Sequence, residues 1–181
     1  MASWSRIARR IRVPLGFALA ALYLWLAKPT LMSLLIGLAL VVPGIVVRAL
    51  ASGHVQKNEQ LTTSGPYAYT RNPLYLGSLI LATGFALAAR SWWMAAAMAV
   101  FFLAIYLPVI RSEETFLRER FAEFAEYARH VPRLLPRLTP FGNGKSEFSR
   151  DLYRQHREYN AIIGAVAMVA ALVAKLLWIS N

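Results

Sequence analysis

The sequence predicts an all-α, polytopic membrane protein with about five transmembrane helices and amphipathic helices on the cytosolic side. Of its 181 residues, 57% are hydrophobic and only 16% are charged, which is unusual for a soluble domain. The apolar residues form runs close to the roughly 20 residues that cross a bilayer. The net charge of +11 is concentrated between these runs. Membrane topology therefore explains the charge, and we expect no nucleic-acid partner.

Five apolar runs are candidate membrane spans. They cover residues 13–27, 31–47, 74–89, 92–110 and 161–179. The second run contains Pro43 followed by Gly44, a pair that favours a kink. Only Arg90 and Ser91 separate the third run from the fourth. We therefore predict that these two spans form a tight antiparallel hairpin.

The distribution of charge orients the spans. With the N-terminus in the cytosol, 17 of the 20 Lys and Arg residues lie on the cytosolic side, as the positive-inside rule requires. All nine acidic residues lie on that side as well, which the rule does not require. We therefore expect an integral protein of the bacterial inner membrane, with its functional site in the cytosol and its C-terminus on the opposite side.

The first cytosolic segment with chemical character leads into the third span. Asn72 is a suitable N-cap, and Pro73 fits the first turn of a helix. A helix start presents free backbone N–H groups and the positive end of its dipole, so it forms an anion site. Arg71 stands beside this site. Three tyrosines surround it: Tyr67, Tyr69 and Tyr75.

The second segment, residues 111–132, follows the fourth span. Its apolar residues recur at helical spacing, which predicts an amphipathic helix lying along the membrane. Glu114 and Arg118 are four residues apart and could pair. Glu113 and Glu114 end an apolar span, where a carboxylate is costly unless it has a partner. Because the hairpin returns the chain to the same side, we expect both glutamates to lie near Asn72.

Several common chemistries have no support in the sequence. There is no cysteine, which excludes thiolate ligands and cysteine nucleophiles. The three histidines, His54, His130 and His156, lack the spacing of metal ligands, and we expect no metal. No phosphate-binding loop or dinucleotide glycine motif is present.

Residues 50–137 resemble the isoprenylcysteine carboxyl methyltransferase family, whose general pattern is shared by phospholipid N-methyltransferases. The resemblance is carried by residues 61–77 (LTTSGPYAYTRNPLYLG), by Glu113 with Glu114, and by the later Phe121, Tyr127 and Val131-Pro132. It implies an integral membrane enzyme that uses S-adenosylmethionine and methylates a lipophilic small molecule or a lipid, with membrane lipids as partners.

The resemblance also implies which residues bind the cofactor. Those that match are Gln56, Gln60, Leu61, Thr62, Tyr67, Arg71, Asn72, Pro73, Leu74, Tyr75 and Glu113. Asn72 stands where the eukaryotic carboxyl methyltransferases usually carry histidine. An arginine shortly before the glutamate pair is implicated in substrate binding, and Arg111 is the match here.

The chemistry of the cofactor fits these residue types. The helix start at Asn72 suits its carboxylate, Glu113 suits its ammonium or its ribose hydroxyls, and tyrosine faces attract its sulfonium. A carboxylate acceptor needs no general base. A protonated amine acceptor must first lose a proton, and Glu114 is the candidate base.

The chain is predicted to form one membrane domain, residues 1–181. Residues 1–50 hold two spans, residues 51–137 hold the methyltransferase-like core, and residues 138–181 hold a proline- and glycine-rich linker, a basic interfacial helix and the fifth span. A carboxylate acceptor of isoprenylcysteine type competes with a phospholipid amine. A non-catalytic membrane interaction protein is the alternative of another class, and a reductase of the sterol-reducing group is a distant one.

Overall fold

The computed structural model describes residues 4–56, 60–142 and 147–180, and these residues form helices and connecting loops, which confirms the predicted fold class. The predicted cytosolic Lys57 and residues 143–146 of the glycine-containing linker lie outside the described residues. The helices are α1 (Trp4–Leu26), α2 (Leu31–Ser52), α3 (Pro73–Ala89), α4 (Trp92–Phe101), α5 (Leu107–Arg120), α6 (Phe124–His130), α7 (Arg150–Gln155) and α8 (Tyr159–Ser180).

Three of the helical stretches are long and apolar enough to cross a membrane: α2, the continuous stretch Trp92–Arg120, and α8 as far as Trp178. Helix α3 is equally apolar but has only 17 residues. Helix α1 has 23 residues and begins well before the predicted span, because its arginine-rich first turns continue the same helix. These apolar helices make the chain a polytopic membrane protein, as its composition predicts.

Helices α2 and α3 pack antiparallel through glycines spaced seven residues apart on each helix. A Cβ added at Gly37 would lie 2.6 Å from the Gly84 carbonyl oxygen, and one added at Gly44 would lie 2.7 Å from the Leu81 backbone nitrogen. In a bilayer, where lipid tails are as apolar as side chains, such close backbone approach drives helix association. This pairing fixes where the start of α3 lies.

Replacing Gly44 with alanine should destabilise the α2–α3 pair by about 1–3 kcal/mol, because the added methyl meets backbone that cannot rotate away. Thermal unfolding of the purified protein measures this effect. The matched control is Gly164→Ala, where an added Cβ meets nothing within 4 Å. Equal melting temperatures for the two variants would contradict the close-packing role.

Helix α1 lies antiparallel to the α4–α5 stretch, with Ala8 buried against Ile105 and Val109. That stretch contains a π-helical segment, Phe102–Tyr106. Pro108 has no N–H, so it cannot bond the carbonyl of Ala104 four residues earlier. The indole Nε1 of Trp4 donates to that carbonyl at 2.9 Å instead, which ties the first turn of α1 to the middle of the fourth span.

Helix α8 is attached at both ends. At its start, Glu158 pairs with Arg48 of α2 at 2.6 Å. Near its end, Lys175 Nζ donates to the Leu24 and Trp25 carbonyls at 2.6 and 2.9 Å. These two carbonyls belong to the last turn of α1, whose acceptors have no partner within the helix.

The prediction of a single amphipathic helix over residues 111–132 is wrong, because two helices occupy this region. Helix α5 ends at Arg120, Phe121 adopts an extended conformation (φ −126°, ψ 118°), and α6 follows. The break turns Phe124 and Tyr127 back against Leu117, so that they are buried. The predicted pairing of Glu114 with Arg118 is also wrong, since the Arg118 guanidinium lies over the Phe124 ring at 5.7 Å.

Part of the segment expected to be a linker packs against the loop before α3. The Arg71 backbone N–H donates to the Pro132 carbonyl, Arg137 donates to Tyr69, and Phe141 donates to Ala68, each at 2.9 Å. Residues 132–141 are therefore a structural element. The basic helix predicted farther on is reduced to the six residues of α7.

Candidate functional site

The α3–α4 hairpin brings the start of α3 next to α5. The Asn72 amide nitrogen donates to Glu114 Oε1 at 3.0 Å. The Tyr75 hydroxyl donates to Glu113 Oε1 at 2.9 Å. The predicted proximity of Asn72 to the glutamate pair is confirmed, although about 40 residues separate them in the sequence.

Asn72 occupies the N-cap position of α3, but its side chain forms no capping hydrogen bond. The amide nitrogen donates instead to Glu114 and, at 3.1 Å, to the Arg133 carbonyl. The predicted capping role of this side chain is therefore wrong. A buried carboxylate is costly unless it accepts hydrogen bonds, so the Asn72 amide bonds to Glu114. The start of α3 depends less on a capping side chain, because Pro73 in its first turn has no N–H to satisfy.

Glu114 is the centre of a charged cluster. Its carboxylate accepts from Arg71 Nε at 3.1 Å and from Arg133 Nε and Nη2 at 3.0 and 2.7 Å, in addition to Asn72. Its side chain is 11% exposed. The hydrogen bond to Glu114 raises the pKa of the Arg133 guanidinium, so Arg133 keeps its charge. The carboxylate thus joins α5, the start of α3 and the loop after α6.

A second set of contacts fixes α6 against the loop before α3. Arg71 Nη1 donates to the Ala128 carbonyl at 2.7 Å. The Tyr127 hydroxyl donates to the Tyr67 carbonyl, also at 2.7 Å. Burial raises the pKa of both Tyr67 and Tyr127, so their hydroxyls remain protonated donors. These contacts hold three segments as walls of one cavity.

The cavity enclosed by these walls has a volume of about 560 Å³, within the range of small-molecule sites. Ten of the eleven residues that the resemblance assigns to the cofactor line it: Gln56, Gln60, Leu61, Thr62, Tyr67, Arg71, Asn72, Leu74, Tyr75 and Glu113. Pro73, Arg111 and Glu114 are not among the lining residues. Arg111 is exposed on α5, and Glu114 lies behind the wall, bonded to two residues that line it.

Sequence reasoning missed five lining residues: Val55, Ser112, Phe116, Leu117 and Tyr127. Phe116 and Leu117 follow Glu113 by three and four positions, so their place on the same helical face could have been inferred. Arg133 was also missed as a partner of Glu114. No local pattern identifies it, because this ion pair depends on the turn after α6.

The residues around the cavity fit S-adenosylmethionine by chemical type. Glu113 offers an anionic group, and Arg71 offers donors. Asn72, Gln56 and Gln60 are the amides, and other sections of the wall are apolar or aromatic. A ligand with a carboxylate, an ammonium, a sulfonium and a flat base needs this mixture. Within the part of the chain that the structure describes, no group of three or more His, Asp or Glu side chains is arranged to hold a metal ion.

A family model described as phospholipid methyltransferase matches residues 11–123, which include the start of α3 and both glutamates. The cobalt-zinc-cadmium resistance protein CzcN of Cupriavidus metallidurans is 39% identical over 138 residues, covering 71% of this chain and 62% of that protein. The nickel-cobalt-cadmium resistance protein NccN of Alcaligenes xylosoxydans xylosoxydans is 40% identical over 86 residues, covering 48% of this chain and 40% of that protein. The chain thus spans less than two thirds of the length of these relatives. No solved structure matches it.

Proposed function

Because the chain belongs to the phospholipid methyltransferase family, we propose that it transfers a methyl group from S-adenosylmethionine to a lipophilic or lipid acceptor. The observation that carries this proposal is the cavity between the loop before α3 and α5. Residues from positions 55 to 127 converge on it, and they include a carboxylate, an arginine and three tyrosines. A membrane interaction protein that only needs charges as anchors would not require this convergence.

Three groups are proposed to hold the cofactor. Glu113, held by the Tyr75 hydroxyl, receives the ammonium or the ribose hydroxyls. Arg71, held by Glu114, offers its remaining guanidinium N–H groups to the carboxylate. Asn72, whose two amide hydrogens go to Glu114 and to the Arg133 carbonyl, fixes the wall beside it. The rings of Tyr67, Tyr75 and Tyr127 offer faces to the sulfonium, each contact contributing about 0.5–2 kcal/mol.

When bound, S-adenosylmethionine supplies a methyl carbon that is already activated for displacement. The protein therefore needs to align the acceptor and exclude water. Correct positioning alone can provide effective molarities of about 10⁵ M or more. The Glu114 cluster performs this task indirectly, because it fixes Arg71 and Asn72 in the cavity wall.

A carboxylate acceptor of isoprenylcysteine type is the acceptor we favour. A phospholipid amine needs a base, and the oxygens of Glu114 already accept from two guanidinium groups and an amide. A carboxylate so stabilised is a poor proton acceptor. Exposed Arg111, adjacent to the lining residue Ser112, is proposed to meet the anionic end of the acceptor.

We place this site at the cytosolic face of the bacterial inner membrane. The basic residues between the spans support that orientation through the positive-inside rule. In this arrangement the cofactor comes from water, and the acceptor's apolar part comes sideways from the bilayer.

Two measurements on the purified full chain test the proposal. Calorimetric titration should show binding of S-adenosylmethionine, and a labelled methyl group should pass to a prenylcysteine in preference to phosphatidylethanolamine. Transfer to phosphatidylethanolamine alone would show that the acceptor is an amine and not a carboxylate. Absence of cofactor binding would overturn the function and favour an interaction protein, whereas binding of a nicotinamide cofactor would favour a reductase.

A further inference from the structure

A second cavity, of about 390 Å³, lies among the membrane helices, away from Glu113. Helices α1, α2, α3, α4 and α8 and the π-helical segment all contribute to its walls. Most of the lining is aliphatic or aromatic, with Leu19, Leu81 and Met168 as examples. Arg48 places a charged group on the wall, and Ser78, Tyr23 and Tyr106 are the lining residues with hydroxyl groups. An apolar cavity with one charged group is suited to an amphiphile.

The glycines of the membrane helices fall into two groups. Gly37, Gly44, Gly77 and Gly84 permit close contact, since a Cβ at each would come within 2.9 Å of another atom. Gly16 and Gly164 line the second cavity, and a Cβ at either would meet nothing within 4 Å. These two glycines serve no close packing, and their missing side chains enlarge the cavity. Gly164 is exposed, so the cavity opens to the surroundings of the helices there and an occupant can enter from that side.

Arg48 stands at the end of this cavity that leads to the start of α8. Its Nη2 donates to both carboxylate oxygens of Glu158, at 2.6 and 2.9 Å, and its Nε donates to Oε2 at 3.1 Å. Its Nη1 also donates to Ser78 and, at 3.4 Å, to the Leu74 carbonyl. Charged residues within membrane spans are costly, so they mark functional sites more often than chance. The guanidinium presents two parallel donors, an arrangement that binds carboxylates and phosphates.

Glu158 reaches Arg48 from the short turn between α7 and α8. Its neighbour Arg157 has φ +53°, a left-handed conformation that is costly for a residue with a side chain. The turn lies beyond residue 123, where the family match ends. The Glu158 carboxylate thus occupies the anion-binding side of Arg48, and the strained turn at Arg157 holds it there.

We propose that the second cavity binds an acidic amphiphile. Its alkyl chain lies beside Gly16 and Gly164, and its carboxylate or phosphate takes the position on Arg48 that the Glu158 carboxylate holds in its absence. Glu158 therefore acts as an internal competitor, so that only an amphiphile with an anionic head displaces it. This binding goes beyond methyl transfer and does not require the cofactor cavity to be functional.

The test uses the full chain in zwitterionic nanodiscs with cis-parinaric acid, whose fluorescence rises in apolar surroundings. Its methyl ester has the same chain without the charge. Glu158→Gln removes the competing charge and should raise the affinity for the acid about tenfold or more, with no comparable change for the ester. Gly164→Leu fills the cavity and should weaken both probes. Ala167→Leu, on an exposed face of the same helix, is the matched control and should weaken neither.

Two results would overturn the proposal. An unchanged ratio of acid to ester affinity in Glu158→Gln would make the Arg48–Glu158 pair only a structural tie between helices. Unchanged binding in Gly164→Leu would place the probes elsewhere. If Glu158→Gln unfolds, the double variant Arg48→Gln/Glu158→Gln is measured in its place. This variant lacks the guanidinium, so it should bind the acid no more tightly than the ester. The test measures probe binding and not methyl transfer, so it remains valid even if the protein has no methyltransferase activity.

Discussion

Replacing Glu114 with alanine should lower the free energy of unfolding of the region around the start of α3 by about 3 kcal/mol or more. The substitution leaves Arg71, whose side chain is 13% exposed, without its ion-pair partner. It also removes the ion-pair partner of Arg133 and one of the two acceptors of the Asn72 amide. A buried charge that loses its partner keeps its full desolvation cost. Three segments, α5, the start of α3 and the loop after α6, then lose their common contact. Thermal unfolding and limited proteolysis near residues 132–141 measure the loss.

Glu119→Ala is the matched control, since Glu119 is exposed on the same helix. Surface changes of this kind usually stay within about 0.5 kcal/mol. Glu114→Gln keeps the shape and one acceptor oxygen, so its effect should fall between those of the two alanine variants. If Glu114→Ala and Glu119→Ala melt alike, the charged cluster does not stabilise the fold.

Replacing Glu113 with glutamine should act on ligand binding and leave stability nearly unchanged. Glu113 lines the cavity and accepts from the neutral Tyr75 hydroxyl, whereas Glu114 lies behind the wall and accepts from two guanidinium groups. Loss of a carboxylate that pairs with a ligand's charge costs about 2–3 kcal/mol, which corresponds to roughly 30- to 140-fold weaker binding of S-adenosylmethionine. Calorimetric titration measures the affinity, and the initial rate of methyl transfer should fall by at least the same factor at low cofactor concentration.

The comparison with Tyr75→Phe separates direct contact from positioning. That variant removes the hydroxyl that donates to Glu113 and keeps the ring, so a smaller loss of affinity is expected. A large fall in melting temperature of Glu113→Gln with unchanged cofactor affinity would contradict the assignment. It would show that Glu113 stabilises the fold and does not bind the cofactor.

The motif-bearing region was largely predictable, because its signals are local. The glycine-proline turn and the start of α3 are adjacent in sequence, so Tyr67, Asn72 and Tyr75 had to lie near one another. The short connection at Arg90 and Ser91 then required α5 to return to the same side. The family resemblance carried by this local motif and by the glutamate pair then named ten of the cavity-lining residues.

The sequence could not predict that Glu113 faces the cavity while Glu114 forms the ion pairs behind its wall. The two residues are neighbours on one helix and differ in direction by about 100°, so a small rotation decides which of them meets the cavity. The rotation is set by contacts across the fold. Arg133 reaches Glu114 from 19 residues away, and it does so only because Phe121 interrupts the helix that the periodicity predicted to be continuous.

Composition, apolar runs and charge asymmetry by themselves determined that this chain is an all-helical membrane protein, because the bilayer demands long apolar helices whatever their partners are. The tertiary structure alone decided which charges meet. Glu158 pairs with Arg48 across 110 residues, and Glu114 contacts Arg71 and Asn72 before α3 and Arg133 after α6. The physical reason is that hydrophobic burial acts on the average character of a segment, whereas a buried ion pair depends on the placement of individual atoms within about 3 Å.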